Sequence, residues 1–287
     1  MELIDYLQNN YAKTTAVAYY KEIKIFLNNH PQANKYNYTQ LIKHIGNLRQ
    51  RYPNSNTLNR IVATLKAYYN YLCHTNQRPD NPAKSIKLRD KKNTDIQLQD
   101  LFTQEELETL LHHKTERYQT LQHRNKILIS LLIYQGLKPS EIQQLQLKDI
   151  NLEEGTIYIK PSPKTNSRTL SLKANQILLF KKYIEEIRPK LLKQNKSKTL
   201  LIGQRNRELK SEDITKHIKK NYNIYPPRQL APITIRQSVI RNLLQQNNDL
   251  RIVQTFAGHK KPSATQKYKQ QQVEELQQAL KIYHPIK

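Results

Sequence analysis

Three side chains toward the C-terminus could together do phosphoryl chemistry. They are the guanidinium of Arg236, the imidazole of His259 and the phenol of Tyr268, nine residues beyond the histidine. Arginine and histidine bind or neutralise a phosphate, and a tyrosine hydroxyl can attack one. Taken singly, each has an ordinary explanation: a surface cation, a loop histidine, one of 18 tyrosines. The surrounding stretch reads Arg236-Gln237-Ser238, an apolar run to Leu244, then Asp249-Leu250-Arg251-Ile252-Val253-Gln254 and Gly258-His259. Each of the three groups therefore sits on or beside a short helix.

The rest of the chain must position them. Its 287 residues are enough for two domains, each able to bury a core. Only 5 Gly and no Trp, with Leu, Ile, Lys and Gln abundant, suit a mostly helical protein. The formal charge of +25 draws the chain to polyanions. The excess is spread along it, residues 1–92 holding ten Lys and five Arg against five acids. The cations alternate with Asn, Gln and Tyr and form no basic amphipathic helix with a broad apolar face, which favours nucleic acid over a membrane surface. Cys73 stands alone, and no His and Cys cluster has metal-ligand spacing, so neither a disulfide nor a metal is expected. The start, Met1-Glu2-Leu3-Ile4-Asp5, lacks a long apolar run, and a cytoplasmic location is expected.

The first part reads as a small helical bundle. Thr14 or Thr15 can cap a helix carrying Val17, Tyr20, Ile23 and Phe26, ended by Pro31. A second carries Leu41, Ile42, Ile45 and Leu48. A third begins near Ser55 with Leu58, Ile61, Leu65, Tyr68 and Leu72 on one stripe. Its opposite face offers Arg60, Lys66 and Asn70, a solvated face or a phosphate contact. Residues 84–99 are polar and aperiodic, a linker. Thr103 to Glu106 is a capping box opening a second domain, and Gly136 sits where a left-handed cap is wanted after a buried helix. Thr156–Ile159 and Thr169–Leu172 read as a β-hairpin whose connection carries Lys160, Lys164 and Arg168. Helices near 174–192 and 211–221 follow. The tail carries an uncovered stripe of Val273, Leu276, Leu280 and Ile282.

The 236–268 stretch, with its Asp-Leu-Arg-x-Val-Gln run and Gly-His followed by Tyr, resembles the C-terminal signature of the tyrosine recombinases, the phage-integrase family. Asn59-Arg60 through Asn81-Pro82-Ala83 looks like the end of that family's core-binding domain. Gly136-Leu137-Lys138-Pro139-Ser140-Glu141 resembles its Gly-Leu-Arg-x-x-Glu box, with Asp149 and Gly155 downstream. The resemblance implies a mainly α fold. A helical, SAM-like core-binding domain (1–88) and a linker (89–99) would precede a mixed, mostly helical catalytic domain with a small β-hairpin or sheet (100–287).

It also implies the chemistry. The family cleaves and rejoins DNA through a 3′-phosphotyrosyl intermediate, without cofactor, using a nucleophile, cations on the non-bridging oxygens and an acid for the leaving 5′-oxygen. Carried over, Tyr268 is the nucleophile, Arg236 the second arginine and His259 the second histidine. Lys164 is the hairpin lysine, with Lys160 the alternative, and Lys138 stands where the first arginine is usual. Ile233 stands where a histidine is usual. Arg60, Lys66, Lys160 and Arg168 are expected DNA contacts, and Arg228 or Gln237 could compensate at the phosphate. The expected partner is double-stranded DNA, gripped by both domains, with a homo-tetramer or a hetero-assembly with another recombinase formed on it. Two other functions share these residues. One is a catalytically weakened DNA-binding accessory, the other a type IB topoisomerase-like enzyme.

Overall fold

The computed structural model describes residues 1–89, 100–113, 116, 118–203, 206–222 and 224–268. The chain divides into two compact units, Met1–Asp95 and Ile96–Lys287. That division falls within the stretch read as linker, most of which lies outside the described residues, as does the apolar stripe of the tail.

The first unit contains α1 (Leu3–Asn10), α2 (Lys13–Asn29), α3 (Tyr38–Arg51) and α4 (Ser55–His74). Helix α4 buries Leu58, Ile61, Leu65, Tyr68 and Leu72, the stripe read from its period. Against it pack Leu7 of α1, Ile23 and Phe26 of α2, and Leu41 and Ile45 of α3. Each such side chain withdrawn from water contributes about 1.5–3 kcal/mol. The phenol of Tyr69 is buried here and donates to the Ala33 carbonyl at 2.6 Å. Several expectations need correction. Helix α2 begins at Lys13 behind Ala12 with no side-chain cap, so neither Thr14 nor Thr15 caps it. Val17 and Ile42, read as core, are 40% and 41% exposed. Helix α1 left no clear period to read.

The second unit opens with α5 (Gln104–Thr109), where Thr103 Oγ1 accepts from the Glu106 amide and Glu106 Oε2 from that of Thr103. Then come α6 (Gln119–Tyr134) and α7 (Pro139–Gln144). A three-stranded antiparallel sheet follows, ordered β1 (Ile150–Asn151), β2 (Thr156–Ile159) and β3 (Arg168–Ser171). Its register sets Ile159 opposite Arg168, and β1 adds to the expected hairpin a strand too short to show a period. Helix α8 (Ala174–Lys182) runs through a π-helical turn, Tyr183–Ile187, into α9 (Arg188–Leu192). Helices α10 (Ser211–Asn221), α11 (Pro232–Gln245) and α12 (Leu250–Ala257) complete the named elements, and residues 263–268 are helical. Helix α6 runs through the core, with Ile127 to Ile133 all buried. Among the described residues no helix is long and apolar enough to cross a membrane.

Candidate active site

The turn after α6 places the first two groups. Gly136 adopts φ +56°, a conformation glycine takes without strain, and turns the chain so that Lys138 precedes Pro139, the first residue of α7. Glu141 then accepts the backbone N–H of Lys138 at 2.9 Å. The Gly136 carbonyl accepts from Arg236 Nη1 at 2.6 Å, while Nη2 of the same guanidinium donates to the Ala257 carbonyl. One turn therefore both aims Lys138 and anchors Arg236.

Behind it lies a buried ion pair. Arg168 Nη1 and Nη2 each donate to one oxygen of Glu141 at 3.0 Å, and Arg236 Nη1 lies 3.9 Å from Glu141 Oε2. Burial alone would raise the Glu141 carboxyl, but the hydrogen bonds and charge of Arg168, helped by Arg236, hold it below its ordinary value. Arg168 was expected at a basic tip as a DNA contact. It is instead 5% exposed and committed to Glu141, so it orders the site from behind. Lys160 is held by Asp149 at 3.1 Å. Lys164, at the hairpin turn, is exposed, and its charge reaches Lys138.

His259 follows a helix stop that allows only glycine. Gly258 ends α12 at φ +65°, and an added Cβ would lie 2.7 Å from Arg168 Nη1 and 3.1 Å from the Asn166 carbonyl. The loop is tied to the hairpin: Asn166 N donates to the Gly258 carbonyl at 3.0 Å, and Thr165 bridges to His259. The His259 ring meets Thr265 Oγ1 through Nδ1 at 2.8 Å. Burial, reinforced by Arg236, Lys138 and Arg168 and opposed by Glu141, lowers its pKa to about 4. The ring is therefore neutral at pH 7.

Tyr268 is 6% exposed and packs on Ile240, Val253 and Ala257. Burial raises its phenol, and Arg236 offsets part of that rise. Tyr268 and Arg236 line a cleft of about 790 Å³ with Lys138, Ile233, Gln237 and Lys216 of α10. His259 is not among the lining residues, but stands close enough for the charges of Arg236 and Lys138 to act on it. Arg228, expected as a compensating cation, is clamped on Glu106 and lies 4.7 Å over the Phe102 ring, away from this cleft. Gln237 remains in place on the wall. Arg60 and Lys66 belong to the first unit. Arg60 pairs with Glu22 at 2.9 Å, an exposed pair worth about 0–1 kcal/mol, and Lys66 is half-buried.

Residues 100–275 match the family description "Phage integrase family". The chain belongs to the phage integrase family. Among relatives of this integrase-family chain, tyrosine recombinase XerD of Staphylococcus saprophyticus is 29% identical over 246 residues, 84% of this chain and 80% of the relative. XerD of Oceanobacillus iheyensis is 28% identical over 231 residues, covering 80% and 76%. In fold it resembles the XerH site-specific recombinase bound to difH substrate, with TM-score 0.66, 24% identity and coverage of 82% and 67%. The Tn1549 transposon integrase with circular intermediate DNA gives TM-score 0.66 at 15% identity, covering 93% and 95%. Site-specific recombination of DNA by a tyrosine recombinase is the function that membership carries, with DNA as the partner.

Two groups of this candidate site escaped the sequence reading. Glu141 was read only as part of a box, although a carboxylate just before Ile142 and three residues after Lys138 could have been read as an N-terminal capping group. Thr265 stands three residues before Tyr268, one helical turn away on the same face.

The neutral His259 has a consequence for stability. Its folded pKa, about 4, lies below the ordinary value of 6.5, so below pH 6.5 the unfolded chain binds protons that the folded chain refuses. Stability is full above the ordinary value and is lost as pH falls from 6.5 toward about 4. His44 of the first unit, lowered to about 4 by burial and His30, acts in the same direction. Thermal melts from pH 7 to pH 4 should show falling stability. His259→Gln should flatten that fall in the second unit and His44→Gln in the first; unchanged slopes in both would refute the assignment.

Proposed function

We propose that this chain cleaves and rejoins double-stranded DNA at specific sites through Tyr268. The phenol oxygen attacks the scissile phosphorus, the bond to the 5′-oxygen breaks, and a 3′-phosphotyrosyl linkage forms. The phenol loses its proton and the departing 5′-oxygen gains one. The linkage conserves the phosphodiester energy, so a 5′-hydroxyl can reverse the step. Arg236 and Lys138 stabilise charge on the non-bridging oxygens, His259 hydrogen-bonds the phosphate, and Lys164 supplies a proton to the leaving oxygen. The single observation that carries this reading is the meeting of Tyr268, Arg236 and Lys138 on one cleft, with the His259 ring within reach of the charges of Arg236 and Lys138.

Lys138 and Ile233 each forgo a contact that the family's usual arginine and histidine would make. A lost contact of this kind costs on the order of 2.7–4 kcal/mol, or 10²–10³-fold in rate. The enzyme is accordingly slow rather than dead. It acts as a tetramer on two duplexes, of its own copies or beside another recombinase. The same two substitutions favour, as a second reading, an accessory that binds DNA and leaves cleavage to a partner.

A duplex nicked beside the cleavage point traps the intermediate, because the short leaving strand diffuses away. Incubation should give a covalent protein–DNA adduct whose peptide maps to Tyr268. A mobility shift with no adduct would establish the accessory reading, and an adduct on another residue would overturn the assignment of the nucleophile.

A further inference from the structure

The contact between His259 and Thr265 bears on which ring nitrogen carries the proton. His259 is fixed at both backbone ends: its N–H donates to the Gln254 carbonyl at 3.0 Å, and its carbonyl accepts from Gln254 Nε2 at 3.1 Å. The ring has one hydrogen-bond partner among the described contacts, Thr265 Oγ1 at 2.8 Å from Nδ1. Thr265 is fully buried, on the same helical turn as Tyr268. The charged groups acting on the ring are Arg236 of α11, Lys138 before α7, Arg168 of β3 and Glu141 of α7. Their net effect, with burial, leaves the ring a single proton. A hydroxyl can either donate to Nδ1 or accept from it, and the two choices are opposite in effect. A phosphate oxygen only accepts. If Nδ1 held the proton, Nε2 would turn a lone pair on the phosphate and repel it. If Thr265 donates to Nδ1, the proton sits on Nε2 and is available to the phosphate.

We infer that Thr265 is a positioning residue for catalysis, whose hydroxyl donates to His259 Nδ1 and so fixes the ring as an Nε2–H donor to the scissile phosphate. The inference rests on the proposed place of His259 at that phosphate. It matters more here than in a site with two histidines, because Ile233 has no proton to offer. It also couples the imidazole to the nucleophile: Thr265 and Tyr268 share one helical turn, so a shift of that helix moves both.

Two measurements test it. The first reads the ring itself, in ¹⁵N-histidine-labelled Tyr268→Phe protein bound to an uncut half-site duplex. The expected result is a neutral His259 with the proton on Nε2, and a proton on Nδ1 overturns the inference. This readout needs no cleavage, so it judges Thr265 even if no adduct ever forms and the proposed function falls. The second is single-turnover adduct formation on the nicked duplex. Thr265→Val, nearly isosteric, should slow it on the order of 10–100-fold, as loss of a group orienting a functional imidazole does at metal sites. DNA affinity should stay unchanged. Thr265→Ser should restore the rate to within about 3-fold, and in a His259→Ala background Thr265→Val should cost nothing further, as coupling through the ring requires. A full loss in that background, or no recovery with serine, would make Thr265 a packing residue only.

Discussion

Arg168→Met should destabilise the second unit by about 3–5 kcal/mol, because it leaves the Glu141 carboxylate buried without its two direct hydrogen bonds and with only Arg236, 3.9 Å away, for a charge partner. For a unit of this size that is a fall of roughly 6–20 °C in melting temperature. The pair is inside the protein, with side chains 1% and 6% exposed, so solvent cannot replace the lost guanidinium. Glu141→Leu should behave alike, stranding Arg168. The double replacement is the sharper experiment: with both charges gone, much of the lost stability should return, since a buried pair contributes little beyond an apolar pair of similar volume, less what the Lys138 N–H and Arg236 lose with Glu141. Activity should not return. Glu141 also holds the Lys138 backbone N–H, and Arg168 abuts Gly258 at the foot of the His259 loop. Calorimetry of the three variants beside adduct assays separates the two effects. A single variant melting within a degree or so of wild type would show that the charges are not truly buried.

Which parts of this arrangement the sequence disclosed follows from where their causes lie. Local causes were readable. Thr103 and Glu106 satisfy each other's backbone three residues apart, Leu58 to Leu72 repeats at helical period, and Gly136 turns the chain after a helix in the left-handed region. Distant causes were not. Arg168 stands in a hairpin beside Lys160 and Lys164 and reads as one more exposed cation. Its burial depends on Glu141, 27 residues away on another element. Arg228 reads as a spare cation for the same reason, and its fate is set by Glu106 and the ring of Phe102. Helix α2 starts without a side-chain cap, so its first residue left no mark. Val17 and Ile42 have the right period on faces left 40% and 41% exposed. Tyr268, Arg236 and His259 were singled out by their types, spacing and the family resemblance, whereas the contact of Thr265 with the ring lies in the fold alone.

Lys138, placed by the resemblance where an arginine is usual, gives the other large effect. Lys138→Ala should slow cleavage on the order of 10²–10³-fold, the loss expected for removing a cation from a developing phosphorane charge. Lys138→Arg is expected to speed it, because two parallel charge-assisted hydrogen bonds replace one. The cleft has room for the longer fork: Ile233, which could have filled the space beside a lysine, is 65% exposed and stands on the wall of a cleft of about 790 Å³. The two cations also differ in how they titrate. Burial, then Arg236, lowers the Lys138 ammonium below its ordinary value, against the pull of Glu141. As pH rises, the wild-type site therefore loses this charge before an ordinary lysine would, and its rate should fall on the alkaline side. Arginine keeps its charge there, so Lys138→Arg should hold its rate to higher pH and the gap between the two proteins should widen. Single-turnover adduct formation on the nicked duplex, followed from neutral to alkaline pH for the three proteins, measures both effects. Equal rates for wild type and Lys138→Ala would remove the residue from the chemistry. A slower Lys138→Arg would mean that the turn beginning at Gly136 aims a lysine where an arginine can no longer reach both oxygens.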